Sequence, residues 1–213
     1  MVHLLNLIIA DASIETIPNN LYRHHSLKKI RLSGKKPHDI LLDRSFHHFA
    51  MVSSGIENDH KRGRPDILHI ALVNALATPL YRKNMMKIFV HTLDNNVILV
   101  GDNVRIPKSY MRFEGLILNL LKNKNKKIVS DDGQILLEIK SQMKIGYLIK
   151  EVIKADTVIG FSTTGSYRNL GSIAMDLSQL ANPCVVIGGF PKGYFSESVD
   201  LCFNKKYFIF FSN

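Results

Sequence analysis

The chain has 213 residues, of which 46% are apolar and 22% are charged, so it is long enough for one large domain with a buried core. No stretch approaches the ~20 consecutive apolar residues that a membrane-spanning helix needs, and a soluble protein is therefore expected. The net charge is +10. Residues 23–36 hold six Lys or Arg without a carboxylate, and residues 101–128 hold seven against two carboxylates. Clustered positive charge is typical of nucleic-acid binding, although solvated charge on exposed faces is the alternative.

Strands and helices are predicted to alternate in the first half of the chain. The first strand is LLNLIIA, whose apolar run lacks the basic leader of a secretory signal. A helical segment broken near Pro18 follows. Next come a strand in HDILLD, a short helix in RSFHHFAMVSS and a helix in RPDILHIALVNAL. MMKIFVHTL and VILVG flank the turn DNN, which predicts a β-hairpin at about residues 85–100.

The second half is predicted to begin with a helix entered through Pro107, a basic loop in KNKNKK, and helices in QILLEIK and MKIGYLIKEVI. The strand DTVIGFS, the helix RNLGSIAMDLSQL, the strand PCVVIGG and a short final element complete the chain. Alternation of this kind indicates an α/β fold with a parallel sheet.

Two glycine-containing loops, FSTTG and IGGFPKG, follow predicted strands. Ligands bind parallel sheets at the carboxyl ends of their strands, so the two loops predict a small-molecule pocket, with plain turns as the alternative. Neither loop has the spacing of a nucleotide-phosphate loop.

The stretch RGRPDILH combines a helix start with two charges. Pro65 suits the first turn of a helix, and Asp66 is either a charge that favours the helix start or the partner of Arg64. A carboxylate partner fixes the planar guanidinium and leaves its other donors for a phosphate or a base.

A second basic motif is RIPKSYMRF. Lys108 and Arg112 are predicted to share one helix face, with Arg105 just before the helix. RNA binding and a solvated face are both open for these cations, whereas Phe113 is expected in the core. The histidines lack metal-binding spacing. The two cysteines indicate no disulfide framework or zinc site and favour a reducing, intracellular compartment.

Four motifs, KRGRPDILH, IFVHTLDNNVI, RIPKSYMRFEGL and VIGGFPKG, occur in this order. With them the chain resembles the ribosome-biogenesis methyltransferases that modify N1 of a pseudouridine in small-subunit ribosomal RNA. These enzymes belong to the SPOUT-type methyltransferases, which contain a trefoil knot. The resemblance extends from the first strand to about residue 200.

The resemblance implies an α/β, parallel-sheet SPOUT-type fold in one domain over residues 1–213, with the hairpin as an extension. The C-terminal trefoil knot and cofactor region would occupy about residues 157–213. The implied cofactor is S-adenosylmethionine. The implied partners are a small-subunit rRNA hairpin and a second copy of the chain, with small-subunit ribosomal proteins as further candidates. No membrane association and a cytoplasmic location are expected.

The site residues are carried over motif by motif. Arg64 and Asp66 are the catalytic candidates, with Asp66 holding Arg64 in place and making a poor general base. The RNA-binding candidates are Arg64, Arg105, Lys108 and Arg112. The cofactor-binding candidates are Phe161, Ser162, Gly188, Gly193, Tyr194, Leu201, Cys202, Phe203, Asn204 and Lys205. No metal ligand is predicted.

The predicted function is S-adenosylmethionine-dependent methylation of pseudouridine N1 in small-subunit rRNA during ribosome biogenesis. The alternative is a non-catalytic RNA-binding assembly factor. Its basis is the end of the chain at YFIFFSN, where the family continues into a closing helix, so that the cofactor site would be impaired.

Overall fold

A computed structural model describes residues 4–209. Its strands form one eight-stranded sheet in the order β4-β5-β3-β2-β1-β7-β6-β8. The strands are β1 (Leu5–Ala12), β2 (Met86–Thr92), β3 (Val97–Val100), β4 (Lys127–Val129), β5 (Ile135–Lys140), β6 (Thr157–Tyr167), β7 (Pro183–Gly188) and β8 (Lys205–Phe208). The α-helices are α1 (Asn19–Tyr22), α2 (Lys28–Leu32), α3 (Arg44–Ser53), α4 (Pro65–Ala77), α5 (Pro79–Arg82), α6 (Tyr110–Lys122), α7 (Ile145–Tyr147), α8 (Leu170–Ser178) and α9 (Glu197–Asp200).

Five strands of the sheet, β2, β1, β7, β6 and β8, pair in parallel, and β3, β5 and β4 add an antiparallel edge. Strand β1 lies inside the parallel part, and its side chains contribute to an apolar core on each face of the sheet. Ile9 packs with the buried faces of α4 and α6, whereas Ile8 packs with the segment from α7 to Ile153 and with α9. Successive side chains of a strand point to opposite faces, so one apolar strand supports both layers.

Several sequence predictions are confirmed. The first strand, the antiparallel hairpin of β2 and β3, and the succession β6, α8, β7 occur where they were expected. MKIGYLIKEVI is helical, as α7 continued by a π-helix at Leu148–Ile153. The hairpin belongs to a larger antiparallel edge, because β5 pairs with β3 and β4 with β5.

Two element predictions are wrong. QILLEIK is not a helix but contains strand β5, whose Leu137 and Ile139 are buried while Glu138 points away from them. Its apolar residues therefore follow the strand period of two, and β5 supplies the backbone partners that the edge of β3 needs. HDILLD forms no strand. It begins within a 3₁₀ turn at Pro37–Asp39 and makes one isolated bridge, between Leu41 and Thr16.

Three boundaries also differ. Helix α6 begins at Tyr110, so Lys108 precedes the helix and does not share a helical face with Arg112. The helical segment predicted on both sides of Pro18 is a helix only after the proline, since α1 begins at Asn19. The FSTTG loop is part of β6, which runs on to Tyr167 and shifts its register against β8 between Phe161 and Ser166.

The predicted domain, residues 1–213, and the predicted knot region, about residues 157–213, both reach beyond the described part of the chain and stay predictions. Among the helices of residues 4–209, none is long and apolar enough to cross a membrane.

Candidate active site

A cavity of about 180 Å³ lies between the end of β7 and the outer half of β6, which are neighbouring parallel strands. Its walls are Phe161, Ser162, Thr163, Gly188, Phe190, Gly193, Tyr194 and Phe195. Five of the predicted cofactor-binding residues thus meet in one place, and the segments FSTTG, which is part of β6, and IGGFPKG, which follows β7, form its walls.

Two glycines explain why the loop after β7 lies so close to this cavity. A Cβ at Gly188 would approach the ring of Phe190 to 2.9 Å, and Gly193 has a φ of +97°, which residues with a side chain rarely adopt. A Cβ at Gly193 would also come within 3.2 Å of the ring of His60. The two glycines therefore let Phe190 and His60 pack closely against the loop that forms this wall.

The third predicted cofactor segment, Leu201 to Lys205, does not line this cavity but supports it. The ring of Phe203 packs edge-on against Phe195 with 5.1 Å between centroids. Asn204 holds β6, since its N–H donates to the Val158 carbonyl at 2.9 Å and its Oδ1 accepts from the Val158 N–H at 2.8 Å. Leu201 is 78% exposed, the thiol of Cys202 lies 3.3 Å from the Ser198 carbonyl, and Lys205 opens β8. Direct cofactor contact by these five residues stays a prediction.

A buried ion pair that the sequence reading missed braces the same loop. The carboxylate of Asp11, which is 1% exposed at the end of β1, accepts hydrogen bonds from the Ser196 N–H at 2.6 Å, the Ser196 hydroxyl at 2.9 Å and the Lys61 ammonium at 3.3 Å. The ammonium also lies 4.7 Å from the centroid of Phe190. An acidic residue directly after a buried strand was the available signal, because ligands and loops gather at that edge of the sheet.

A second, larger cleft of about 800 Å³ shares Gly193, Tyr194 and Phe195 with the first cavity. His91, at 2% exposure, lies in its wall. Its Nε2 is 3.3 Å from the Asn95 amide oxygen, and its Nδ1 has no partner within residues 4–209. Burial lowers the pKa of His91, with smaller opposing effects of Asn95 and Asp11, so the ring is neutral at neutral pH.

Arg64 and Asp66 form the expected pair at the start of α4. The Nε of Arg64 donates to Oδ1 of Asp66 at 2.8 Å, and its Nη2 donates to Oδ2 at 2.7 Å. The Nη1 group of Arg64 has no hydrogen bond to the described residues, so one edge of the guanidinium is free for a ligand. The hydrogen bonds from Arg64 lower the pKa of Asp66, which is therefore ionised at neutral pH and a poor proton acceptor.

The other three predicted RNA-binding residues, Arg105, Lys108 and Arg112, are exposed. None of them has a side-chain hydrogen bond or ion pair among residues 4–209. We call Arg64 together with these three residues the basic groove. Phe113 on the same helix is fully buried and stacks on His69, as expected for a core residue. Exposed cations without an internal partner favour a polyanionic ligand.

Comparison with known proteins places this geometry in a family. The family model described as EMG1/NEP1 methyltransferase matches residues 7–211. The chain is 36% identical to "Ribosomal RNA small subunit methyltransferase Nep1" of Thermococcus sibiricus over 193 residues, 90% of this chain and 84% of that protein. It is also 36% identical to the protein of that name from Pyrococcus furiosus over 198 residues, 92% of this chain and 85% of the relative.

The chain belongs to the EMG1/NEP1 methyltransferase family. Its fold is also similar to a crystal structure of Archaeoglobus fulgidus Nep1 bound to S-adenosylhomocysteine. That likeness has a TM-score of 0.77 at 30% identity and covers 98% of this chain and 88% of the other. The family and the SPOUT-type α/β fold inferred from the four motifs are thus confirmed. Residues 4–209 contain no group of three or more His, Cys, Asp or Glu that could hold a metal ion.

Proposed function

We propose that the protein transfers a methyl group from S-adenosylmethionine to N1 of a pseudouridine in small-subunit ribosomal RNA during ribosome biogenesis. The observation that carries the proposal is the presence, on one chain, of a cavity between two glycine-containing segments and of three exposed cations without a partner in the described residues, Arg105, Lys108 and Arg112. The names of the relatives, and the S-adenosylhomocysteine bound by the Archaeoglobus fulgidus protein, support both parts. S-adenosylhomocysteine is what remains of S-adenosylmethionine after its methyl group is transferred.

The residues of the cavity suit this cofactor. Gly193 is exposed in the wall, Phe161 and Phe190 offer apolar surface, and Ser162 offers a hydroxyl. The cavity alone, at about 180 Å³, is smaller than the ~300–1,000 Å³ of typical ligand pockets. The neighbouring 800 Å³ cleft shares part of its wall and provides the remaining space. When bound, S-adenosylmethionine supplies an electrophilic methyl group on a positively charged sulfur.

The chain contributes mainly binding and orientation. Asp66 fixes the plane of Arg64, and the free edge of that guanidinium, with Arg105, Lys108 and Arg112, holds the RNA backbone. The neutral His91 and the paired Asp11 add no net charge beside the cofactor cavity. In pseudouridine the free N1–H occupies the place that the C5–H has in uridine, whose own N1 is bonded to the ribose. The substrate therefore provides the selectivity, and positioning provides most of the rate enhancement. A target base flipped out of its stack is part of the proposal.

The proposed assembly is a homodimer that works in the cytoplasm with a small-subunit rRNA hairpin and, in the assembling subunit, with ribosomal proteins. Large apolar side chains exposed near the end of β6 and on α8, namely Tyr167 at 67%, Leu170 at 45% and Met175 at 72%, support self-association. The trefoil knot is part of the same proposal. Two free cysteines, Cys184 and Cys202, are consistent with a reducing compartment.

One experiment tests the function directly. The full chain is incubated with methyl-labelled S-adenosylmethionine and two matched hairpins that contain uridine or pseudouridine at the same position. Label in the pseudouridine hairpin alone is expected. Tight, salt-sensitive binding of both hairpins without transfer would instead assign the chain to non-catalytic assembly factors. Arg64→Ala should weaken RNA binding and leave cofactor binding nearly intact, since the two sites use different residues.

A further inference from the structure

An exposed aromatic ring lies beside the basic groove and has no role in the function proposed above. Phe46 on α3 is 79% exposed. Its only ring contact within the described residues is with its neighbour His47, at 6.4 Å between centroids. By contrast, Phe49 on the same helix packs against the rings of His24 and His25, each at 5.5 Å. Phe49 is itself 60% exposed, but Phe46 is the more exposed of the two and, within the described residues, has no ring contact outside its own helix.

Phe46 forms one wall of a cavity of about 330 Å³ between α2, α3 and α6. Lys29 and Lys35 line the same cavity, are exposed, and have no side-chain hydrogen bond or ion pair within residues 4–209. They belong to the segment 23–36, which has six cations and no carboxylate. We call Lys29, Lys35, Phe46 and Glu114 the α2–α3 face. A flat ring flanked by free cations is the usual platform for an unpaired nucleotide, because every base can stack and every phosphate is anionic.

The two carboxylates of this cavity differ in what they offer. Asp43 is already engaged, since it accepts from the Tyr110 hydroxyl at 3.2 Å and caps α3 by accepting from the Ser45 N–H at 2.8 Å. Glu114 has no hydrogen bond or ion pair in the described part of the chain. A free carboxylate beside a stacking ring accepts an N–H from a base edge, and it leaves the phosphate to the lysines.

The α2–α3 face adjoins the basic groove. Tyr110, in the cavity wall, stands at the start of α6 two residues before Arg112. Asp43, which Tyr110 contacts, is close enough to Arg64 to help raise the pKa of its guanidinium. None of the residues of the face lines the cofactor cavity. A nucleotide on Phe46 is thus a different nucleotide from the methylated one.

We propose that the α2–α3 face binds an unpaired nucleotide next to the stem of the target hairpin, with its base stacked on Phe46 and its phosphates against Lys29 and Lys35. This inference rests on the proposed function for the identity of the RNA. An RNA ligand is favoured over a protein segment because the unpaired cations outnumber the single unpaired carboxylate and continue a groove of the same charge.

The test compares two RNAs by fluorescence anisotropy on the full-length protein. One is the pseudouridine hairpin alone, and the other carries single-stranded extensions on both ends. The wild-type protein should bind the extended RNA more tightly than the hairpin. Phe46→Ala should lose between about fivefold and 150-fold on the extended RNA, the range for loss of one base–aromatic stack, and nothing on the hairpin. Phe46→Tyr, which keeps the ring, should retain the gain.

Matched controls separate the face from general surface effects. Val129→Ala truncates another exposed apolar residue, 55% exposed on the edge strand β4, and should change neither affinity. Lys29→Gln with Lys35→Gln should reduce the salt dependence on the extended RNA only. Equal affinity of the wild-type protein for both RNAs, or an unchanged affinity of Phe46→Ala for the extended RNA, would overturn the proposal. Loss of binding to purified small-subunit ribosomal proteins in Phe46→Ala, with RNA affinity unchanged, would overturn it in favour of a protein partner.

The outcome is separable from that of the proposed function. A wild-type protein that fails to methylate the pseudouridine hairpin refutes the methyl transfer. The difference between the two RNAs, and its dependence on Phe46, then still decides whether the α2–α3 face binds unpaired RNA.

Discussion

The cavity between β6 and β7, proposed above to hold the cofactor and called the cofactor cavity, differs from the basic groove in how its polar groups are paired. Around the cavity, several polar side chains are paired within the chain, as in the contacts of the buried Asp11 with Lys61 and Ser196 and in the hydrogen bond between the exposed Asn204 and Val158. In the groove, Arg105, Lys108 and Arg112 are exposed and unpaired in the described structure. The cavity is built before any ligand arrives, whereas the groove leaves its charges for a ligand to neutralise.

Because of this difference, substitutions in the two regions should affect different properties, the stability of the fold in one and RNA binding in the other. Substitutions around the cavity remove contacts on which the fold depends, so they should lower the free energy of unfolding together with cofactor affinity. Substitutions of Arg105, Lys108 and Arg112 remove charges with no partner in the described residues, so they should weaken RNA binding while leaving the fold intact.

The largest effect is expected for Asp11→Ala. The change leaves the Lys61 ammonium buried without its carboxylate and releases Ser196, and breaking a buried pair costs about 3–5 kcal/mol. Urea unfolding should show this loss, with weaker S-adenosylmethionine binding. Asp102→Ala, which breaks the exposed pair with Lys87, is the matched control and should cost less than about 1 kcal/mol. Similar small losses in both variants would erase the distinction between the two regions.

A smaller effect, on binding instead of folding, is expected for the double variant Arg105→Gln and Arg112→Gln. Loss of two phosphate contacts should weaken binding of the hairpin by roughly 2–3 kcal/mol. It should also make the slope of log affinity against log salt shallower by about 2. The melting temperature and cofactor affinity should not change. Lys124→Gln, an exposed cation past the other end of α6, is the control. A salt slope equal to the wild-type value would show that these arginines do not contact phosphate.

Gly193→Ala tests the wall of the cavity with an effect of about 1–2 kcal/mol, the cost of a side chain in left-handed backbone. Gly34→Ala is matched to it, since Gly34 also has a positive φ, +78°, but open space around it. Both variants should lose similar stability by thermal melting, and Gly193→Ala alone should lose affinity for S-adenosylmethionine in calorimetry. If both variants keep full cofactor affinity, the loop after β7 is not the binding wall.

The sequence predicted best where the local pattern had one solution. Continuous apolar runs bounded by turns identified β1, β7 and the β2–β3 hairpin, because only buried strands suit such runs of β-branched residues. The prediction for QILLEIK was wrong because a stretch of seven residues with mixed apolar and polar positions fits a helix or a strand until its neighbour is known, and here β3 is that neighbour. The motifs also located both walls of the cavity and the Arg64–Asp66 pair.

The contacts that the sequence did not predict are those between distant residues. Lys61 and Asp11 are 50 positions apart, and nothing in either local stretch indicates that they meet. The difference between Phe46 and Phe49 is of the same kind, because the pattern of α3 does not say which of its two outward rings will meet a ring of another element, as Phe49 meets His24. Such features depend on how the elements pack.

The smallest effect is expected from His91 and is a dependence on pH. Burial lowers its pKa below the usual 6.5, so between these two values the unfolded chain binds a proton that the folded chain does not. The free energy of unfolding should therefore fall as the pH is lowered through 6.5 and stop falling below the folded-state pKa. His47, whose pKa burial also lowers, contributes in the same direction.

His91→Gln should reduce this fall without abolishing it, because His47 remains. Urea unfolding of both proteins at pH 7.5 and 5.5 measures the difference, and His48→Gln on the exposed side of α3 is the matched control. If His91→Gln shows the full wild-type pH dependence, the cleft beside the cofactor cavity already admits a charged ring. In that case His91 would not be a buried, neutral group, and the contrast between the cleft beside the cofactor cavity and the basic groove would not hold at this residue.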